Sequence, residues 1–523
     1  MRFLPCAIAA LLIAGCLFVA LPAIQAQGDD HFVYPLDDTY IHMGMAKNLA
    51  THGVWGVNRH HFSSSSSSPL WTLLLAGAYL VTGVREATPL ALNLLFAGLL
   101  LWVSDRLLRR LGLPLAARIV ALAGLVLAAE LPSVVLMGME HVLHLFLTVA
   151  FAERAIHALQ SPDAVTRREW GVLCLAGALL GASRYEGFFL VGVVCLLLAC
   201  RRRLPAGIAL GATAIVPLIV LGLISVANGS MFLPNSLLLK AGGEQSSGLA
   251  VLFKLPGAEA LELFSRHPAL LVVFVAGVIA TIVAAVRLRS VWHAQVLAPL
   301  MLVAMTALHA HFAFSSLFWV YRYDAYLIGF GVVAMGAAAS SLPSRIGGPA
   351  TAAALAVFLF AIASPRRALY PEPEITAARE NFLEHVRAAD FVNRYYPAGP
   401  VVVNDIGALS YFGDALFLDM FGLGDVEPLK IRRANHGAYT AADVEQWTRP
   451  FHPSAAIVQL GWAWVPERVP ASWTKVAEIE IVRSRQVLGF YAMSPDSAIA
   501  LRDHVREYYA PLEGGDRYAM RLF

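Results

Sequence analysis

Residues 63–83 read SSSSSSPLWTLLLAGAYLVTG, and whether the apolar part from Pro69 onward crosses a bilayer decides the topology of the whole chain. Apolar stretches follow at 88–105, 115–136, 141–158, 170–183, 187–200, 204–226, 268–286, 292–313, 323–340 and 347–364. Each is near or a little under the ~20 residues that span a hydrocarbon core. The basic clusters Arg106/Arg109/Arg110/Arg118, Arg167/Arg168, Arg201/Arg202/Arg203, Arg287/Arg289 and Arg345 fall between consecutive stretches. If the Pro69 segment crosses, the first cluster and all later ones land outside, against the preference of Lys and Arg for cytoplasmic loops. If it dips into the outer interface without crossing, every cluster lands inside. The segment is short, begins with Pro after six serines, and carries Trp71 and Tyr79, aromatics that favour the headgroup level. The second solution therefore predicts about eleven spans, an inside N-terminus, an outside C-terminus and a large first outer loop over 27–87.

Composition agrees with a bilayer protein. Of 523 residues 58% are hydrophobic and 14% charged, and the mean hydropathy is +0.63, too apolar for a soluble multidomain chain. A net charge of +3 gives no global basic field for nucleic acid. The five cysteines lie in or beside apolar runs with no CxxC pair, which predicts packing roles. Met1 to Ala26 ends in small residues as a cleavable signal does, but its apolar run is near spanning length, and an uncleaved first helix is the reading preferred. Pro365, Pro371 and Pro373 mark a linker. The chain is thus read as a polytopic α-helical membrane region, 1–364, followed by a soluble α/β domain, 365–523. In that domain Ala378 to Tyr395 reads as an amphipathic helix, and Pro400 to Asn404, Leu416 to Asp419, Ala455 to Gln459 and Ala477 to Val482 as strands. No internal repeat is visible.

This topology gathers ionisable residues on the outer face: Asp37 and Asp38, Glu140, Arg184 and Glu186, Asn235 and Lys240, and Arg322 with Asp324. Such groups at membrane depth are costly and mark functional sites. One of two adjacent carboxylates can take a proton from a hydroxyl while the other orients it or holds a divalent cation (Mg, Mn or Ca). The bland alternative is that the pair caps a helix starting near Thr39. Arg184 and Glu186 serve equally well as a structural ion pair, and Glu140 as an end-cap. His42, His52, His60 and His61 match no metal-ligand spacing and are read as interfacial polar residues. Asp405 and Asp419, at strand ends of the outer domain, are candidate acceptor-binding residues. With no GxGxxG or Walker pattern, no nucleotide site is predicted.

The stretch DDTYIHMGMAKNLATHGVWGVN, Asp37 to Asn58, with SSPLWTLLLAGAYL, Ser67 to Leu80, resembles the first outer loop of the GT-C glycosyltransferases, and most of all the terminal arabinofuranosyltransferase type. GMEH around Glu140, ASRYEG at 182–187, LPNSLLLK at 233–240, YRYDAYL at 321–327, VNDIGALSYFGD at 403–414 and LDMFGLGD at 418–425 resemble further motifs of that group in the same order. The sequence departs where polyserine replaces a Glu-Gly-Tyr, where Tyr185 replaces a proline, and where the LPNSLLLK motif lacks a tyrosine.

The resemblance implies an enzyme of the bacterial inner membrane with an extracytoplasmic site. It would move a sugar, arabinofuranose or another pentose or hexose, from a polyprenyl-phosphate donor to an envelope glycan, lipid or protein. Asp37 or Asp38 would be the base. Arg184, Lys240 and Arg322 would face the donor phosphate, and Glu140, Glu186, Asn235 and Asp405 would face substrate. The rival classes are a lipid-linked-glycan flippase, in which charge near the midplane and repeats are expected, and a glycan-binding scaffold.

Overall fold

The computed structural model describes residues 3–240, 263–311, 322–342, 347–363 and 371–523. Arg345, Tyr321 and the 364/365 boundary lie outside the described residues, as does the side chain of Lys240.

Among the described residues, eleven apolar helices of 14 to 24 residues build a bundle with two ends, beginning with α1 (Leu4–Gln27) and including Thr88–Arg110, His141–Gln160, Leu204–Ala227 and Ala325–Ala339. Six of the described helices are long and apolar enough to cross a membrane, and shorter apolar helices accompany them. The molecule is a polytopic helical membrane protein with a soluble C-terminal domain. Ala325–Ala339 is buried along nearly its whole length and forms the centre of the bundle. Leu204–Ala227 and Pro268–Leu288 are mostly exposed on apolar side chains, as faces toward lipid must be.

One end of the bundle is an arginine side. There Arg106 and Arg110 both meet Glu153, Arg118 bonds Asp105 at 2.8 Å, and Arg201 lies 4.7 Å from the Trp292 ring. The other end is the domain side. The stretch 115–136, read as one span, is broken: Leu115–Ala128 ends, Glu130 takes a left-handed φ of 48°, and Leu131–Leu136 starts afresh.

Between α1 and Thr88–Arg110 the chain builds two helices on the domain side, α2 (Asp37–His52) and α3 (Pro69–Thr82). Both ends of α3 stay there. Just before it, Ser66 bonds Thr72 and Ser67 lies 3.5 Å from His42, while Glu86, just after it, accepts from the Tyr34 hydroxyl at 2.7 Å through its backbone carbonyl. Leu73, Leu80 and Val81 are exposed, so α3 shows one apolar face outward without spanning.

Residues 401–522 contribute six strands: β1 (Val401–Val403), β2 (Phe417–Asp419), β3 (Ala455–Gln459), β4 (Thr474–Ile481), β5 (Gln486–Ala492) and β6 (Tyr518–Leu522). They form one mixed sheet in the order β2-β1-β3-β5-β4-β6, with β1 parallel to β2 and β3 and the rest antiparallel. β1 and β3 are wholly apolar save for Gln459 because both faces are covered. Val401, Val403, Ala455 and Ile457 pack with the helical side of the domain that carries Phe391, Leu501 and Tyr509. Val402, Ala456 and Val458 face Tyr439, Val444 and Trp473. The amphipathic segment 378–395 is helical throughout, with a π turn at Phe382–Val386 between Glu372–Asn381 and Arg387–Tyr395.

Candidate active site

Asp37 and Asp38 occupy the first turn of α2, and neither caps it: Leu36 is the N-cap and no side chain makes the capping bond. The capping alternative is thereby replaced. Consecutive residues on a helix point about 100° apart, so the two carboxylates diverge. Asp37 turns to the C-terminal domain, where Oδ2 accepts from the Gly407 N–H at 2.6 Å and Oδ1 from the Ala408 N–H at 2.7 Å. Asp38 turns to the bundle, where Oδ2 accepts from Arg322 Nη2 at 2.7 Å. Its side chain remains 45% exposed against 4% for Arg322.

Arg322 is fixed from behind by contacts to Met139 Sδ at 2.9 Å and the Tyr323 hydroxyl at 3.0 Å. Its guanidinium lies 4.8 Å from the Tyr323 ring, and that of Arg184 lies 5.2 Å from the same ring. Arg184 itself is held by two carboxylates: Glu140 at 2.5 Å and Glu186 through two bonds of 2.7 and 3.3 Å. Glu140 is fully buried at the start of His141–Gln160, and Glu186 precedes Gly187–Cys200, so this triad ties three helix ends together. His42 also belongs here. It is 3% exposed, with Nε2 3.6 Å from Glu140 and Nδ1 3.1 Å from the Thr72 hydroxyl. Its assignment as an interfacial residue is corrected: one turn after Asp38 on α2, it points down into the bundle rather than along the surface.

The polyserine run is largely buried. Ser63, Ser65, Ser66 and Ser68 are buried, and Ser65 donates to the Leu423 carbonyl at 2.7 Å. Asn235 secures the same place: its N–H donates to Ser64 and its side-chain amide to Leu423. The Leu423 loop, 419–425, is wound around Asp419, whose carboxylate accepts from the N–H groups of Phe421, Leu423 and Gly424 at 2.7–2.8 Å. Burial pushes the Asp419 carboxyl up to about 7, with the Asp425 charge adding, against the three N–H donors that pull it down.

Asp405 follows β1, Asp419 ends β2, and Asn404 bonds Gln459 at the end of β3. The carboxyl ends of the three parallel strands therefore point together at the first loop, the edge where open sheets take ligands. Asp405 lies 3.8 Å from His385, and Asp37, His385 and Asp405 bring one ligand atom each within 4.8 Å of one another. Burial, with the charges of Asp37, Glu384 and Asp38, holds the Asp405 carboxyl well above its usual range.

Of the residues singled out by sequence, Asp38 and Arg322 meet directly, as do Arg184, Glu140 and Glu186. Asp37 and Asp405 meet at the domain. Asn235 sits to one side, under the 419–425 loop, and Lys240 ends the helix Asn235–Lys240 with its side chain outside the described residues. Sequence reasoning missed His42, His385 and the serines.

A family model described as "Domain of unknown function (DUF8728)" matches residues 374–499. Comparison with curated proteins gives no significant match. Among solved structures, the crystal structure of ArnT from Cupriavidus metallidurans bound to undecaprenyl phosphate aligns over 92% of this chain and 97% of its own, at 16% identity and a TM-score of 0.52. The apo crystal structure of the same protein aligns over 91% and 97%, at 15% identity and a TM-score of 0.50. The chain has the GT-C fold. Alignment over almost all of both chains means that the GT-C likeness takes in the helical region and the C-terminal domain together. The Asp38–Arg322 pair thus stands within a GT-C frame, on the side of the bundle that carries the soluble domain.

Proposed function

We propose that this chain is a membrane glycosyltransferase that transfers a sugar from a polyprenyl-phosphate donor to an envelope glycan, lipid or protein, with inversion, at the extracytoplasmic face of a bacterial inner membrane. The observation that carries it is the pairing of half-exposed Asp38 with buried Arg322 at the domain side of a GT-C bundle. The ArnT structure, bound to undecaprenyl phosphate, supports a lipid-phosphate donor for the same fold. The motifs further support a pentose or hexose as the sugar, arabinofuranose among them.

Asp38 is the base in this reading. It takes the proton of the acceptor hydroxyl as that oxygen bonds to the anomeric carbon from the side opposite the phosphate. The anomeric carbon–oxygen bond breaks, and the polyprenyl phosphate leaves with the electron pair. Charge then grows on the phosphate, and a guanidinium already fixed in place stabilises that charge without reorganising. Arg322 supplies it, and Lys240 is assigned to the same anion. Arg184, balanced by Glu140 and Glu186, sets the floor of the site and positions Arg322 through the Tyr323 ring they share. Asp37 acts through the domain it holds.

The test is transfer by the purified full-length protein with a panel of polyprenyl-phosphate sugars. Asp38→Asn is expected to lower turnover by about 10²–10⁴-fold, the usual share of a general base, with donor binding retained. Asp37→Asn is expected to act more weakly and to loosen the domain. Unchanged turnover in Asp38→Asn would remove the base assignment.

A further inference from the structure

We propose that Asp37, His385 and Asp405 form a site for one divalent transition-metal ion, of the zinc or manganese kind, that clasps the C-terminal domain to the first loop. The three residues come from α2, from the π turn and from the end of β1, so the ion ties the helical region to the domain. Their ligand atoms lie within 4.8 Å of one another. Ligand atoms about 2.1 Å from a tetrahedral ion stand about 3.4 Å apart. The set therefore closes on an ion when the three side chains draw together by about 1.4 Å or less.

Two independent features point the same way. The first is the π turn at Phe382–Val386, the place where His385 leaves its helix. Such one-turn insertions re-aim side chains and recur at functional sites. The second is charge. Asp37 and Asp405 stand together, and Glu384 brings a further carboxylate within 3.8 Å of the same imidazole that lies 3.8 Å from Asp405. A dication would relieve that crowding of carboxylates. Asp37 retains capacity for a metal: an ionised carboxylate has about four lone-pair sites, and the Gly407 and Ala408 N–H groups take two.

The donor set of one imidazole nitrogen and two carboxylate oxygens is borderline in softness, which suits Zn²⁺ or Mn²⁺ better than Ca²⁺ or a thiolate-seeking ion. Three protein ligands leave a coordination position for water or a substrate oxygen. This differs from a cation bridging Asp37 and Asp38, because Asp38 turns away to Arg322.

The experiment needs no turnover. Full-length protein purified in detergent is stripped with chelator, equilibrated with Zn²⁺, Mn²⁺ or Mg²⁺, and assayed for bound metal by mass spectrometry, with thermal unfolding in parallel. The expected result is one Zn²⁺ or Mn²⁺ per chain, a rise in the unfolding midpoint, and weaker binding of Mg²⁺. His385→Ala and Asp405→Asn should each lower affinity by at least about tenfold, whereas exposed His52→Ala should not. Should His385→Ala fail to fold, the near-isosteric Asp405→Asn carries the test. Equal binding by Asp405→Asn and the parent protein, or less than one ion bound by the parent at saturating metal, overturns the proposal.

Discussion

At Gly407 the backbone N–H feeds the Asp37 carboxylate, and a Cβ in that place would overlap both the Asp37 carbonyl and its carboxylate. Gly407→Ala must therefore push Asp37 away and lose two charge-assisted bonds, each worth about 1.5–3 kcal/mol. We expect it to lower the unfolding midpoint and to expose 371–523 to limited proteolysis, while leaving the helical region protected. Retained protease resistance would show that Asp37 does not hold the domain. The aspartate pair itself was legible in the sequence as two adjacent carboxylates gathered with other charged groups on one face. Their division of labour was not. It depends on the helix starting at Asp37 rather than Thr39, which turns two neighbours into residues facing different bodies. Nor could the need for glycine at 407 be read, since the group that excludes a side chain lies 370 positions away.

The 419–425 loop is a smaller unit with its own titration. Asp419 is buried among three N–H donors, with Asp425 near it and His61 on Asp425 at 3.1 Å. A carboxyl whose folded pKa is raised to about 7 from 3.8 holds its proton more tightly when folded. Its contribution is complete below the unfolded value and is lost as pH rises through about 7. Docking of this loop on Ser65 and Asn235 should thus weaken between about pH 4 and 7, read as a fall in the protection factors of the Leu423 and Gly424 amides once the intrinsic rise of exchange with pH is divided out, by about tenfold per unit of linked pKa change. Asp419→Asn, which keeps an acceptor and loses the charge, should flatten that dependence. A pH-independent protection factor in the parent protein would contradict it. At this scale the apolar runs of β1, β2 and β3 were readable, because buried parallel strands carry no polar interruptions to hide them. β5, interrupted by Gly489, and the edge strand β6 were not, since their identity comes from pairing with β4. The serines carry no such signal: only in the fold does Ser65 meet the Leu423 carbonyl and Ser66 the Thr72 hydroxyl.

Across the whole molecule, the placement of α3 sets the parity of everything after it. With both its ends on the domain side, exposed sites flanking α3 share a compartment and Arg167 faces the other one. In a cysteine-free background, His60→Cys and Arg85→Cys should react with an impermeant thiol reagent from the same side of sealed vesicles, and Arg167→Cys only from the opposite side. Labelling of His60→Cys and Arg85→Cys from different sides would mean that α3 crosses. This architecture was the most legible part of the chain, since arginine placement and segment length are strong constraints in a bilayer. The seam between loop and domain was the least legible, because its contacts join parts of the sequence with no local relation.

That seam also has a clock. The N–H groups that Asp37 binds are encoded 370 residues after it. At about 5–20 residues per second a ribosome takes roughly 20–75 s to reach them. Throughout that interval the Asp37 carboxylate and the Ser65 hydroxyl are without the Gly407, Ala408 and Leu423 groups that meet them in the finished fold. A nascent protein halted before β1 would hold the Asp38–Arg322 pair and lack the bonds by which Asp37 grips the domain.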